Sequence, residues 1–152
     1  MERNRLADRV TMTQAAVDET DGGTVELFTG EGTSEASLYG HETRTATITV
    51  PRISLDAYVD RTTLDRIDVI KIDIEGAEER ALRGATGVLE RHSPKLLVEV
   101  HGRRSVRSLD LLGAHGYRIT DPRRPGLSRD LSRFRPAGGR HKGCLRSPIR
   151  TA

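Results

Sequence analysis

Residues 67–83 read IDVIKIDIEGAEERALR, and this stretch indicates a buried strand that runs directly into a helix. Its first part is rich in Ile and Val, a composition typical of a strand that is covered on both faces. From residue 77 onwards apolar residues recur at helical spacing, at Ala77, Ala81, Ala85 and Val88. The period changes at residues 73–76, which would be the carboxyl edge of the strand. In an open α/β sheet that edge is where ligands bind.

Acidic side chains gather at this change of period. Glu78 and Glu79 are interpreted as charges in the first turn of the helix, where they complement its dipole. Asp73 differs, because it lies near the end of an apolar strand and shares a face with Lys71 and Glu75. A carboxylate in that position must be paired, solvated in a cleft or bound to a ligand. The sequence is equally compatible with a functional role for Asp73 and with a simple ion pair.

A second apolar run, KLLVEV at residues 95–100, is followed by His101. Glu99 and His101 are two residues apart, so they would point to one face about 7 Å from each other. If this strand neighbours the first, Asp73, Glu99 and His101 converge at one carboxyl edge. Such a set suits general acid–base chemistry or a divalent cation. A histidine at a strand end that bonds to backbone or water explains His101 equally well, and the spacing assigns no metal ligand.

The rest of the chain shows shorter signals. Strands are predicted at residues 9–15, 24–29, 45–53 and 117–120, and the second and third of these suit a long-looped antiparallel hairpin. Ser54 is a candidate N-cap for a short helix. Further helices are predicted from residue 77 to about 91 and over 105–115. Strand–helix–strand–helix–strand over residues 67–120 implies a parallel α/β sheet with right-handed crossovers.

Length and composition are those of one ordinary domain. The 152 residues include a single cysteine, Cys144, which excludes an intramolecular disulfide framework. No signal peptide and no run of about eighteen apolar residues is present, which predicts a cytosolic protein without membrane contact.

The net charge of +3 is unevenly distributed along the chain. Residues 122–152 hold nine Lys or Arg and one acid, a charge of +8, so residues 1–121 carry −5. Arg, Gly, Pro and Ser dominate the tail, a composition typical of disorder. We predict a domain over residues 1–121 and a solvated basic tail over 122–152. Without aromatic interleaving or a nucleic-acid motif, no nucleic-acid partner is expected.

The central motif is similar to one in a known family. Residues 67–101 resemble the later half of FkbM-type S-adenosylmethionine-dependent methyltransferases, with Lys-Ile-Asp-x-Glu-Gly-Ala-Glu at 71–78 and Glu-x-His at 99–101. Weaker similarity in RVTMTQAAV and VPRISLDAYV extends the resemblance to about residues 4–120.

The resemblance implies a Rossmann-like class I methyltransferase fold that is truncated at its N-terminus. The first two strands and the glycine-rich turn that holds S-adenosylmethionine are missing from this chain. The segment around residues 9–15 corresponds to the third strand, so Gln14, Ala15 and Ala16 are the implied contacts to adenine. Without the missing strands the strand at residues 67–74 lacks a neighbour, and an unpaired edge favours self-association.

The resemblance also implies chemistry: O-methylation of a hydroxyl on a sugar or small metabolite, with Asp73, Glu75, Glu99 and His101 as catalytic residues. Asp73 would orient the hydroxyl and His101 would accept its proton. A non-catalytic remnant or interaction module of the same fold is the alternative. A metal-dependent hydrolase that uses Asp73, Glu99 and His101 is a third hypothesis, so a divalent metal stays open.

Overall fold

The computed structural model describes residues 6, 8–29, 36–38, 46–100, 106–120 and 141–146. This part of the chain is a mixed α/β structure with two four-stranded sheets and four helices. In chain order the elements are β1 (Ala16–Val17), β2 (Thr24–Thr29), β3 (Ala36–Ser37), β4 (Ala46–Ile53), α1 (Leu55–Thr62), β5 (Val69–Ile72), α2 (Glu78–Arg83), α3 (Thr86–His92), β6 (Lys95–Val100), α4 (Val106–Ala114), β7 (Arg118–Thr120) and β8 (His141–Arg146).

The first sheet has the strand order β1-β4-β2-β3. β2 and β4 pair antiparallel from Thr24 opposite Pro51 to Thr29 opposite Ala46, which confirms the predicted hairpin. β4 leads into α1 through Ser54, whose hydroxyl accepts a hydrogen bond from the Ala57 amide at 3.2 Å. The N-cap that the sequence indicated is therefore confirmed.

The strand predicted at residues 9–15 is displaced along the chain. Only Ala16 and Val17 form a strand, β1, which runs parallel to β4 with Ala16 opposite Arg52. Continued backwards, this ladder would place Ala15 beside Pro51, which has no amide proton to donate. Residues 10–14 accordingly belong to no described strand, although their alternation is typical of one.

The second sheet has the strand order β5-β6-β8-β7. β5 and β6 are parallel, as predicted, and Ile72 lies opposite Val98. β8 is antiparallel to both β6 and β7, so β7 runs in the same direction as β6 without pairing with it. The sequence predicted no strand in the basic tail, and β8 corrects that expectation over residues 141–146. The domain boundary near residue 121 stays a prediction.

The helix predicted from residue 77 to about 91 is divided into α2 and α3. At the junction the Gly84 carbonyl accepts a hydrogen bond from the Asp56 amide at 2.9 Å. The Asp56 carboxylate in turn accepts from the Gly87 and Val88 amides at 3.0 and 2.7 Å. These bonds to α1 replace the helical bonds that would have continued α2, so a residue distant in sequence divides the helix.

An ion pair ties the first sheet to α2. Asp18, directly after β1, has a fully buried side chain, and Arg80 donates to its two carboxylate oxygens at 2.7 and 2.6 Å. Nearby, a Cβ on Gly84 would lie 2.0 Å from the Asp18 carbonyl oxygen, so the backbones touch there. Glycine is required for this close approach.

The hydrophobic core lies on one face of the second sheet. Its buried members come from β5, β6, the helices α2, α3 and α4, and the residue before β7: Ile72, Leu82, Leu89, Leu96, Val98, Val100, Leu109, Leu112 and Tyr117. The alternation of buried and exposed residues at the start of β6 indicates that its other face is more open, and Leu97 on that face is exposed. Within the described residues no helix is long and apolar enough to cross a membrane.

Candidate functional site

Two carboxylates meet at the carboxyl edge of the second sheet. Ile72 is the last residue of β5 and pairs with Val98 of β6, so Asp73 comes level with Glu99 on the neighbouring parallel strand. Adjacent strands are about 4.8 Å apart, which brings the two side chains to one location. The expected convergence of Asp73 and Glu99 therefore has a structural basis in the parallel β5–β6 pair.

Lys71 is bonded to one of these two carboxylates. Its Nζ donates to the Asp73 Oδ2 at 2.8 Å. The hydrogen bond that Lys71 donates to Asp73, supported by the charges of Asp73 and Glu99, raises the pKa of the Lys71 ammonium above its usual value. Glu99 is buried, whereas the Asp73 side chain keeps about a third of its surface exposed (34%). The cluster is thus an ammonium bonded to an accessible carboxylate, with a buried carboxylate close enough for its charge to act on the ammonium.

A strained turn connects β5 to α2. Glu75 and Gly76 both have positive φ values, 52° and 100°, and the Ala77 amide donates back to the Ile74 carbonyl at 3.4 Å. Positive φ at both central residues is characteristic of a type I′ turn. For a residue other than glycine this conformation costs about 1–3 kcal/mol, and such strain is concentrated at functional sites. Glu75, which is half-buried, therefore lies in a strained turn two residues after Asp73.

Glu78 holds the turn from inside the protein. Its residue surface is 0% exposed, and its Oε1 accepts a hydrogen bond from the Gly76 amide at 3.0 Å. The interpretation of Glu78 as a first-turn helix charge is therefore incomplete. Its spacing of three, four and seven residues from Ala81, Leu82 and Ala85 places it on the buried stripe of α2. That spacing is the sequence signal for a buried carboxylate.

The predicted cofactor contacts lie at a different place. Gln14 is exposed, Ala15 is half-buried, and Ala16 is buried in β1, where it pairs with β4. These residues precede Asp18 and its ion pair with Arg80, and the roles predicted for them stay predictions. The fourth predicted catalytic residue, His101, lies outside the described residues.

The part of the chain that the structure describes contains no group of three or more His, Cys, Asp or Glu side chains arranged to hold a metal ion. His101 lies outside the described residues, so this finding covers Asp73 and Glu99 but not His101, which was predicted to join them. The described site is a pair of carboxylates, one of which, Asp73, is bonded to the Lys71 ammonium.

An apolar groove lies next to this cluster. It has a volume of about 200 Å³ and lies between β5, α2, the end of β1 and the start of α1. Its lining consists of eight apolar residues and one lysine: Val17, Leu55, Ile70, Ile72, Ile74, Ala81, Leu82, Ala85 and Lys71. β5 ends the second sheet on this side and has β6 as its only strand neighbour within the described residues.

Comparison with known proteins identifies the family. A family model described as "Methyltransferase FkbM domain" matches residues 2–119, most of the chain. No curated protein and no solved structure is similar enough to the chain to count as a match. The matched range contains both sheets' first strands and the whole described carboxylate cluster. The chain therefore belongs to the FkbM methyltransferase domain family.

Proposed function

We propose that this chain is a methyltransferase domain that acts on a hydroxyl group of a sugar or another small metabolite. The observation that carries the proposal is the position of Asp73 and Glu99 beside Lys71, at the carboxyl edge of two parallel strands in a chain of this family. Ligands of open α/β sheets bind outside that edge.

The carboxylate cluster suits the recognition of a hydroxyl. The partly exposed Asp73 can accept a hydrogen bond from the hydroxyl and orient its oxygen, which is what an in-line group transfer requires. Lys71 donates a hydrogen bond to the Asp73 Oδ2, and this bond raises the pKa of the Lys71 ammonium, so positive charge stays beside the carboxylate. A group that removes the proton is also needed, and the prediction assigns that role to His101.

The cofactor that the family implies, S-adenosylmethionine, supplies the methyl group when it is bound. The described residues do not fit it. Gly22 and Gly23 form the turn into β2, where the Gly22 amide donates to the Arg52 carbonyl at 3.1 Å and the Arg52 amide donates to the Gly23 carbonyl at 3.0 Å. The Gly22 amide is bonded within this hairpin and is therefore not offered to a ligand. The buried Asp18 is paired with Arg80 and cannot serve a ribose.

We therefore propose that the described residues form the acceptor side of the site. Calorimetric titration of S-adenosylmethionine into the full chain tests this directly. We expect weak binding or none. Saturable binding in the micromolar range would show that the chain contains a cofactor site and that this proposal is wrong.

The role of Asp73 is tested by substitution. With a cofactor-binding half from a relative fused ahead of the chain, Asp73→Asn should lower methyl transfer roughly 10²-fold, because the hydroxyl loses its acceptor. Glu79→Gln is the matched control, since Glu79 pairs with Arg83 on α2. Small and equal effects of the two changes would mean that Asp73 only pairs with Lys71.

A non-catalytic interaction module is the second candidate function. It is favoured by the apolar groove beside the edge strand β5, which offers a surface to another chain. A fusion that binds the cofactor but transfers no methyl group to any hydroxyl compound would support this candidate against the first.

A further inference from the structure

The Asp73 carboxylate of the acceptor site lies just beyond the end of β5. Ile72 is the last residue of this strand, and its pairing with Val98 is the last pair in the register of β5 and β6. The strand pairing therefore fixes Ile72 but not Asp73, whose position also depends on the residues that follow it. These residues form the turn at 74–77, so a contact that holds the turn helps to determine where Asp73 lies.

The turn at residues 74–77 is weak by itself. The Ala77 amide donates to the Ile74 carbonyl at 3.4 Å, which is longer than the usual distance of about 2.9–3.0 Å. Glu75 has a φ of 52°, a conformation that is unfavourable for a residue with a Cβ. Ala77 is the N-cap of α2 and makes no side-chain cap hydrogen bond. The turn therefore needs a hydrogen bond from another residue.

Glu78 supplies such a bond from the interior of the protein. Its Oε1 accepts from the Gly76 amide at 3.0 Å, and the residue is 0% exposed. Glu78 shares the buried stripe of α2 with Ala81 and Leu82, so packing restricts the conformation of its side chain. A carboxylate that only complemented the helix dipole could do so from solvent, whereas a buried carboxylate is costly unless it is hydrogen-bonded. The burial of Glu78 therefore points to its bond with the turn.

We propose that Glu78 is a positioning residue of the acceptor site: its carboxylate holds the turn at residues 74–77 and thereby keeps Asp73 beside Lys71. In this position Asp73 can accept a hydrogen bond from the acceptor hydroxyl and orient its oxygen. That Asp73 binds a hydroxyl rests on the proposed function, whereas the bond between Glu78 and the turn is independent of it.

The Lys71 side chain reports the position of Asp73. Its Nζ donates to the Asp73 Oδ2 at 2.8 Å, and this bond is the largest cause that raises the pKa of Lys71 above its ordinary value of 10.5. The charges that add to the effect are those of Asp73 and Glu99, so a lower Lys71 pKa after removal of Glu78 would report a movement of Asp73. The chain contains three lysines, so few side-chain ammonium signals overlap in a lysine-labelled sample.

Titration of the lysine side chains of the full chain by NMR tests the proposal, with circular dichroism at each pH to verify the fold. Glu78→Ala should lower the pKa of Lys71 towards 10.5, because Asp73 is no longer held beside the ammonium. Glu78→Gln should keep this pKa raised, because the side-chain amide oxygen can still accept the backbone amide. Glu79→Ala is the matched control, since Glu79 is the next residue of α2 and pairs with Arg83. It should leave the pKa of Lys71 unchanged.

Hydrogen exchange of the unmodified chain is a second measurement, and it decides alone if Glu78→Ala does not fold. The Gly76 amide should exchange far more slowly than the same amide in an unfolded peptide, because it is bonded to a buried carboxylate. A Gly76 amide without protection would overturn the proposal, as would a Lys71 pKa that Glu78→Ala leaves raised. Equal lowering by Glu78→Ala and Glu79→Ala would indicate a general effect of charge and would also overturn it. A fused enzyme without methyl transfer would count against the proposed function and would leave these measurements unaffected.

Discussion

Removing the guanidinium of Arg80 should destabilise the fold far more than removing the guanidinium of an exposed surface arginine. Arg80→Met keeps the aliphatic part of the side chain but removes both donors to the Asp18 carboxylate, at 2.7 and 2.6 Å. Among the other described residues, Arg52 is 4.0 Å away and the Glu19 amide donates to Asp18 at 2.7 Å. A buried charge that loses its partner costs about 3–5 kcal/mol of unfolding free energy. Because the Arg80 side chain is 32% exposed, we expect the lower end, about 3 kcal/mol.

Arg83→Met is the matched control. Arg83 lies one turn further along α2 and pairs with Glu79 at 2.8 Å, with side-chain exposures of 54% and 21%. An exposed pair four residues apart on a helix contributes about 0.3–0.5 kcal/mol. Both changes remove one positive charge and replace arginine with a residue of similar helix propensity. Their difference therefore reports the buried pair with Asp18.

Urea unfolding followed by circular dichroism measures both variants. With a slope of about 1–3 kcal/mol per molar urea, a loss of about 3 kcal/mol lowers the midpoint by roughly 1–3 M. The double variant Asp18→Asn with Arg80→Met should lose less than the sum of the single changes, because the two residues form one interaction. Equal midpoints for Arg80→Met and Arg83→Met would refute the assignment of this pair as the joint between the first sheet and α2.

Two further changes test the packing. Gly84→Ala should cost more than about 1–3 kcal/mol, because its Cβ would lie 2.0 Å from the Asp18 backbone oxygen, whereas Gly87→Ala should cost less because its nearest contacts are side-chain atoms; comparable thermal midpoints would contradict this difference. Tyr117→Phe should be neutral or stabilising at neutral pH, because the buried Tyr117 hydroxyl makes no hydrogen bond with any described residue. Burial raises the pKa of Tyr117 from 10.0 to about 12. The unfolded protein therefore loses the tyrosine proton at a lower pH than the native protein, and the native protein loses stability as the pH rises from 10.0 to about 12. At about pH 11 the advantage of the phenylalanine variant should have grown by about 1.4 kcal/mol in urea unfolding, and a pH-independent difference would show that the hydroxyl is not buried.

Strands and helix ends whose formation depends on their own residues were predicted well from the sequence. The runs at Thr24–Thr29 and Lys95–Val100 form strands with those bounds, and the Ser54 cap is confirmed. The predictions were wrong where residues distant in sequence determine the local structure. The helix after residue 77 is divided because Asp56 of α1 takes the hydrogen bonds at its centre, and helical periodicity alone contains no information about Asp56. β8 forms because its backbone pairs with β6 and β7. The composition of the basic tail did not indicate this pairing.

The candidate site was predictable to the extent that parallel strands share one edge. Asp73 and Glu99 could be expected together because both end apolar runs, and the β5–β6 register places them level. The hydrogen bond between Lys71 and Asp73 was harder to predict, because several carboxylates lie near Lys71 in the sequence and the side-chain conformation determines which of them it contacts. Roles in catalysis or cofactor binding stay predictions for every residue assigned one.

Glu78 and Glu79 show why residue type and position in a helix do not determine what a carboxylate does. Both open α2, and both complement its dipole equally well. Glu79 lies on the solvent side and pairs with Arg83, whereas Glu78 is buried and accepts the Gly76 amide. The difference is one residue, or about 100° around the helix, which moves a side chain from the exposed face to the buried stripe. Because a buried carboxylate is costly unless it is hydrogen-bonded, Glu78 and the Gly76 amide stabilise each other. This bond holds a turn in which Glu75 adopts positive φ, and it thereby fixes the direction in which the chain leaves Asp73.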